Sequence, residues 1–167
     1  MMSSAVQLAL FQPDIPQNTG TILRLAACLG IKAHIIEPAG FPTDDRAFRR
    51  AGMDYLELVD LTRHASWRSF EVWRTAHQAR LILFTTSATL PYLDYAFRAT
   101  DVLLFGRESS GVPRQVHEAA DARLLIPMQP GLRSLNVAMA AAMAVGEALR
   151  QASVLEVTQR PKSNRGG

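Results

Sequence analysis

Short apolar, β-branched runs alternate with stretches of helical period along nearly the whole chain, and this alternation restricts the fold more than any other feature. Runs of four or five such residues suit strands buried on both faces, and the helical stretches between them are long enough to carry the chain over to a parallel neighbour. The expected class is α/β, a mostly parallel sheet flanked by helices. Strands are expected at residues 6–10, 33–36, 56–59, 81–84, 102–105 and 123–126. Asn18 is placed to cap a first helix whose apolar residues Ile22, Leu25, Ala26 and Leu29 share a face, and Gly30 ends it. Asp44 and Ser66 can cap helices running to Arg50 and His77, and Pro113 can open one ending at Ala120. A last helix over residues 135–151 offers Val137, Ala141, Ala144, Ala148 and Leu149 as a broad stripe, suited to a plain core or to a homodimer interface.

With 167 residues and 48% hydrophobic positions the chain can bury one core, so one domain over residues 1–156 is expected, followed by a disordered basic tail at 157–167. No apolar run reaches the roughly eighteen residues of a membrane span. No secretory signal is visible in residues 1–12, and the cytoplasm is the expected compartment. The single cysteine, Cys28, lies among Ala26, Ala27 and Leu29 and reads as a small buried residue. The net charge of +3 does not describe a basic body: Arg160, Lys162 and Arg165 carry the excess, and without them 15 basic side chains face 15 acidic ones. Nucleic-acid binding, if present, must come from local clustering.

Ligands of parallel α/β sheets bind beyond the carboxyl ends of the strands, which directs attention to the loops there. The loop after the first strand carries Pro13, Asp14, Pro16, Asn18 and Gly20, with Arg24 about one turn inside the helix, the outline of an anion site. The loop after the fifth strand reads Gly106, Arg107, Glu108, Ser109, Ser110, Gly111; glycines bracketing charged and hydroxyl residues mark a backbone that approaches a ligand. The loop after the sixth reads Pro127, Met128, Gln129, Pro130, Gly131, Leu132, Arg133, Ser134, Leu135, Asn136, with Ser134 or Asn136 as possible helix cap. Thr85, Thr86 and Ser87 form a fourth segment, more typical of a satisfied turn. A serine-hydrolase elbow fails because Arg107 stands where the first glycine before Ser109 is required, and neither G-x-G-x-x-G nor G-K-[ST] occurs. His34, His64, His77 and His117 lack ligand spacing, so no metal is expected. Trp67 and Trp73 fall on different faces of one helix, at least one of them in the core.

Three ordered motifs, N-T-G-T-I-L-R from Asn18 to Arg24, F-G-R-E-S-S-G-V-P from Phe105 to Pro113 and I-P-M-Q-P-G-L-R-S-L-N from Ile126 to Asn136, resemble the SPOUT superfamily of methyltransferases, in its TrmH-like branch acting on RNA ribose 2′-hydroxyls. The resemblance spans about residues 8–151. It implies a deep C-terminal trefoil knot built around Phe84, Gly106 and residues 126–136, with S-adenosylmethionine bound there. By the same resemblance Phe84, Thr85, Gly106, Glu108, Ile126, Met128, Ser134 and Leu135 touch the cofactor. Arg24 is then the central catalytic residue, reaching the cofactor of the opposite protomer in a homodimer formed through the knot and the C-terminal helix. Asn18, Glu108, Ser134 and Asn136 complete the set. An arginine acting literally as base would first lose its own proton, costing roughly 7 kcal/mol at neutral pH, so phosphate binding and alkoxide stabilisation suit Arg24 better.

The short length looks most like members that methylate the tRNA wobble nucleotide, position 34, a cytidine or modified uridine. Gly146 and Met139 depart from the aromatic residue and the second asparagine common there, and close helix packing is the expected compensation for Gly146. Arg46, Arg49 and Arg50 form the best candidate RNA cluster, with Arg107, Arg114 and Arg133 expected near the cofactor. Another tRNA or ribosomal RNA nucleotide, a catalytically silent knotted RNA-binding module and a flavodoxin-like nucleotide enzyme remain as alternatives.

Overall fold

A computed structural model describes residues 6–50, 53 and 55–152; the expected domain end at 156 and the tail at 157–167 lie outside the described residues. The strands are β1 (Gln7–Phe11), β2 (Ala33–Ile36), β3 (Leu61–His64), β4 (Arg80–Phe84), β5 (Leu90–Pro91), β6 (Asp101–Phe105) and β7 (Ala122–Leu125). The helices are α1 (Pro16–Leu29), α2 (Asp45–Arg50), α3 (Trp67–Ala76), α4 (Arg114–Ala119) and α5 (Val137–Gln151). All seven strands are parallel neighbours in one sheet of order β3-β2-β1-β6-β4-β7-β5.

Alternation of side chains along each central strand divides the interior into two layers. Leu8, Leu10, Ile82, Phe84, Leu103 and Phe105 face α1, α2 and α5, meeting Ile22, Leu23, Phe48, Ala141, Val145 and Leu149. Ala9, Phe11, Leu81, Leu83, Val102 and Leu104 face α3 and α4, meeting Phe70 and Val116, with both Trp67 and Trp73 partly buried against this layer. Burial on both faces explains why the central strands are continuous apolar runs. It also puts the strand ends, where the site lies, on a rigid frame.

The chain moves outward from β1 to β2 and β3, then crosses to β4 on the far side of β6. That reversal leaves a crevice at the carboxyl ends of β1, β6 and β4, where doubly wound sheets hold ligands.

Several local expectations need correction. The run at 56–59 is a single 3-10 turn, Leu56–Leu58, and the strand follows it at Leu61–His64. Leu56 and Val59 reach the core from this turn without pairing in the sheet, and Leu58 between them remains 76% exposed. Asn18 does not cap α1; Ile15 is the cap, without a side-chain bond, and Pro16 opens the helix. Asp44 and Ser66 do cap, accepting from the N–H groups of Ala47 and Ser69. Asn136, not Ser134, caps α5, its Oδ1 accepting from Ala138 N–H at 2.9 Å and Met139 N–H at 3.4 Å. Cys28 is exposed rather than buried. A Cβ on Gly146 would meet nothing within 4 Å among the described residues, so close packing against them does not account for that glycine.

Candidate active site

The loops after β1, β4, β6 and β7 converge on one cleft of about 510 Å³ at the carboxyl end of the sheet. Its floor is aromatic: Phe84 and Phe105 sit side by side on β4 and β6 and stack with ring centroids 5.1 Å apart. Thr85, Gly106, Glu108, Ile126, Met128, Ser134 and Leu135 line it with Phe84, so all eight residues expected at a cofactor meet in one place. Asn18, Asn136, Arg107 and Arg133 line the same cleft. Arg114 does not; it pairs with Glu118 on the exposed side of α4.

The β6 loop is closed on itself. Arg107 N–H donates to Gly111 O at 2.9 Å and Gly111 N–H donates back to Arg107 O at 2.8 Å, with Gly111 at φ 65°. A Cβ on Gly106 would lie 2.7 Å from the Gly111 carbonyl carbon, closer than backbone tolerates. The sequence reason for Gly106, close approach of a ligand, thus has a second reason beside it within the chain: the loop cannot close over a side chain.

A hydrogen-bonded path joins the three motifs. Asn136 Nδ2 donates to Asn18 Oδ1 at 3.0 Å, and Asn18 Nδ2 reaches Glu108 Oε1 at 3.5 Å. Glu108 Oε2 accepts from Asp14 N–H at 3.2 Å, and Glu108 N–H donates to Asp14 Oδ1 at 3.2 Å. The Ser109 hydroxyl donates to Asp14 Oδ2, and Arg107 Nε stands 3.8 Å from the same oxygen. Burial first, and hydrogen bonding to Asp14 second, raise the Glu108 carboxyl above the usual glutamate range. Hydrogen bonds with Glu108 and then Ser109 hold Asp14 below the usual aspartate range. A half-buried carboxyl with raised proton affinity in a cleft is suited to accept a proton. Asp14 was visible only as a polar residue between two prolines; its pairing with residues more than ninety positions away left no local signal.

Arg24 lies outside this cleft. It is exposed on α1, its guanidinium carbon 5.9 Å from the Tyr55 ring centroid, beside a separate groove that also involves Ala27, Cys28 and Leu58. The anion site outlined by the β1 loop and Arg24 is therefore not assembled within a single chain, since Asn18 lines the cleft and Arg24 does not. Tyr55 itself is fixed by donating its hydroxyl to Gly20 O at 2.6 Å. Arg46, Arg49 and Arg50 are exposed on α2, and Arg49 makes a solvent-exposed pair with Glu57, an interaction worth little. Among the described residues no group of three or more His, Cys, Asp or Glu is placed to hold a metal ion, and no helix is long and apolar enough to cross a membrane.

Comparison with known proteins supplies the family. Residues 5–146 match the SpoU rRNA Methylase family. A tRNA (cytidine(34)-2′-O)-methyltransferase of Beijerinckia indica is 60% identical over 158 residues, covering 94% of this chain and 99% of the relative. A structure solved in a study of 2′-OH methylation of C/U34 on tRNA superposes with a TM-score of 0.81 at 40% identity, over 90% of this chain and 92% of that one. An AdoMet-bound rRNA methyltransferase from Sinorhizobium meliloti superposes with a TM-score of 0.78 at 26% identity, over 89% of this chain and 57% of that one. A parallel sheet that gathers three ordered motifs around one cleft, and a match running through nearly all of it, place this chain in the SpoU methylase family.

Proposed function

We propose that this chain transfers a methyl group from S-adenosylmethionine to the ribose 2′-hydroxyl of nucleotide 34 of tRNA, a cytidine or modified uridine. The observation that carries the reading is the single cleft in which Asn18, Glu108 and Asn136, one from each motif, are hydrogen-bonded in sequence beside every expected cofactor contact. The relative of 60% identity is named for that nucleotide, which selects it over other RNA targets.

The residues present fit the donor. The cleft volume lies within the usual range for small-molecule sites, and the Cβ-free backbone at Gly106 sits at its edge. Phe84, Met128 and Leu135 offer apolar wall for an adenosine, and Arg107 and Arg133 offer cations for a carboxylate. S-adenosylmethionine, when bound, supplies an electrophilic methyl group on a positively charged sulfur. Glu108 accepts the proton of the 2′-hydroxyl, the role its raised proton affinity and its bond to Asn18 prepare. Asn18 and Asn136 orient the β1 loop against α5 and keep the Glu108 carboxyl facing the cleft. Residues 126–136, which run along the cleft between β7 and α5, form the threaded segment of the family's trefoil knot.

Two chains complete the site. Arg24 stands outside the cleft of its own chain, so it serves the cleft of a second copy, holding the phosphate next to the reacting ribose and stabilising the developing alkoxide. The face of α5 opposite its buried stripe exposes Met139, Met143 and Gly146, a surface suited to that second copy. Arg46, Arg49 and Arg50 hold the tRNA backbone, and the enzyme works in the cytoplasm where that substrate is found.

The test is to incubate the protein with isotopically labelled S-adenosylmethionine and total tRNA, and to map the labelled ribose by mass spectrometry. Label confined to nucleotide 34 is expected; label at another nucleotide, or none, contradicts the reading.

A further inference from the structure

The strongest unassigned feature is the way one carboxylate grips the β6 loop from across the sheet. The chain bends at Gln12, which takes φ 43°, a left-handed conformation uncommon outside glycine, while its N–H still donates to Ile36 O at 2.8 Å. Two residues later Asp14 is locked from both sides. Gly40 N–H donates to Pro13 O at 2.8 Å, and a Cβ on Gly40 would come within 2.9 Å of the Asp14 Cβ, so the β2 loop seats flush against Asp14. On its other side Asp14 exchanges main-chain and side-chain hydrogen bonds with Glu108 in both directions and accepts from the Ser109 hydroxyl. Strain at Gln12 and a contact that only glycine permits at Gly40 thus aim one side chain at three consecutive residues of the cofactor loop.

We propose that Asp14 is a positioning residue for the methyl transfer: its carboxylate pins residues 107–109 so that Glu108 meets Asn18 across the cleft. This rests on the reading of the cleft as a methyl-transfer site. Asp14 need not touch substrate or cofactor, and among the described residues it does not line the cleft. It acts through Glu108, which meets the Asp14 carboxylate directly, with Arg107 beside Asp14 and Arg133 among the residues lining the same cleft. Without its carboxylate the loop keeps the Arg107–Gly111 bridge, so the loop persists while its orientation relaxes.

The experiment compares the full-length wild-type protein with Asp14→Asn, which preserves shape and removes the charge. Four quantities are read: kcat with tRNA, the dissociation constant for S-adenosylhomocysteine by calorimetry, the melting temperature, and the titration of the Glu108 carboxyl by carbon-13 NMR, assigned with Glu108→Gln. The expected result is a loss of about tenfold or more in kcat with cofactor-product affinity held within about threefold, since misplaced groups cost rate before binding. The Glu108 carboxyl is expected to titrate at lower pH in Asp14→Asn, and Asp14→Glu to recover part of kcat. An unchanged kcat, an unmoved Glu108 titration, or parallel collapse of affinity, rate and melting temperature overturns the proposal. Where Asp14→Asn does not fold, Ser109→Ala removes one arm of the clamp from the exposed side, and a kcat equal to wild type in that variant overturns the proposal equally. Full activity in Glu108→Gln contradicts Glu108 as proton acceptor, a failure of the reading of the site, and leaves the Asp14 outcome to its own readouts.

Discussion

At the scale of single residues the chain separates two kinds of buried polar chemistry. Glu108 is held with a raised proton affinity, whereas the His34 and His64 pair is held with a lowered one. His34 Nε2 lies 2.7 Å from Gln7 Oε1, an oxygen that only accepts, so Nε2 carries the proton and Nδ1 accepts from His64 Nε2 at 3.0 Å. Burial first, then the neighbouring His64, push the His34 pKa down to about 3, and burial lowers His64 as well. The unfolded chain takes up a proton near pH 6.5 that the folded chain refuses until about pH 3. Stability is therefore complete above pH 6.5 and lost progressively as pH falls toward 3, by about 2 kcal/mol for His34 at pH 5. Urea unfolding at pH 7.5 and pH 5 checks this, and His34→Phe is expected to show a smaller loss between the two. An equal loss in the variant would assign the acid sensitivity to other groups.

Elements were legible in the sequence where burial is symmetric and obscure where it is not. The central strands β1, β4 and β6 are apolar on both faces, and their periodicity was unambiguous. The edge strand β3 has one neighbour and reads Leu61, Thr62, Arg63, His64, while the more apolar segment before it forms a turn; polar side chains are cheap on an edge, so hydrophobicity pointed to the wrong segment. The two-residue β5 carries Pro91 on the opposite edge and gave no signal. Within the site, the loops that share the cleft were legible because glycines and prolines mark them, and their individual residues through the family resemblance, whereas Asp14 depended on contacts far apart in sequence. The β6 loop yields a prediction at this scale. Gly106→Ala places a methyl group 2.7 Å from Gly111 backbone, which has no flexible atoms to withdraw. The loop must shift, and S-adenosylmethionine affinity is expected to fall by about ten- to a hundredfold while the melting temperature drops by only a few degrees. Affinity within twofold of wild type, measured by calorimetry, would mean that the loop adapts at no cost to the cleft.

On the scale of the whole molecule, the chain has a formally neutral body and two surfaces that a single copy leaves unused. Arg24 beside Tyr55 lies outside the cleft, and among the described residues Met139 and Met143 of α5 remain exposed. The proposed two-fold dimer would join both facts, because an isologous interface repeats every contact and builds two equivalent composite sites. The most direct measurement co-expresses two differently tagged subunits, Arg24→Ala and Gly106→Ala, and assays the purified heterodimer with tRNA at a cofactor concentration where the Gly106→Ala homodimer is silent. The Arg24→Ala homodimer is expected to bind cofactor and transfer no methyl group. In the heterodimer the intact cleft of one subunit meets the intact Arg24 of the other, so about half of the wild-type activity is predicted. A heterodimer as inactive as both parents would contradict the account, since each site would then draw its arginine from its own chain.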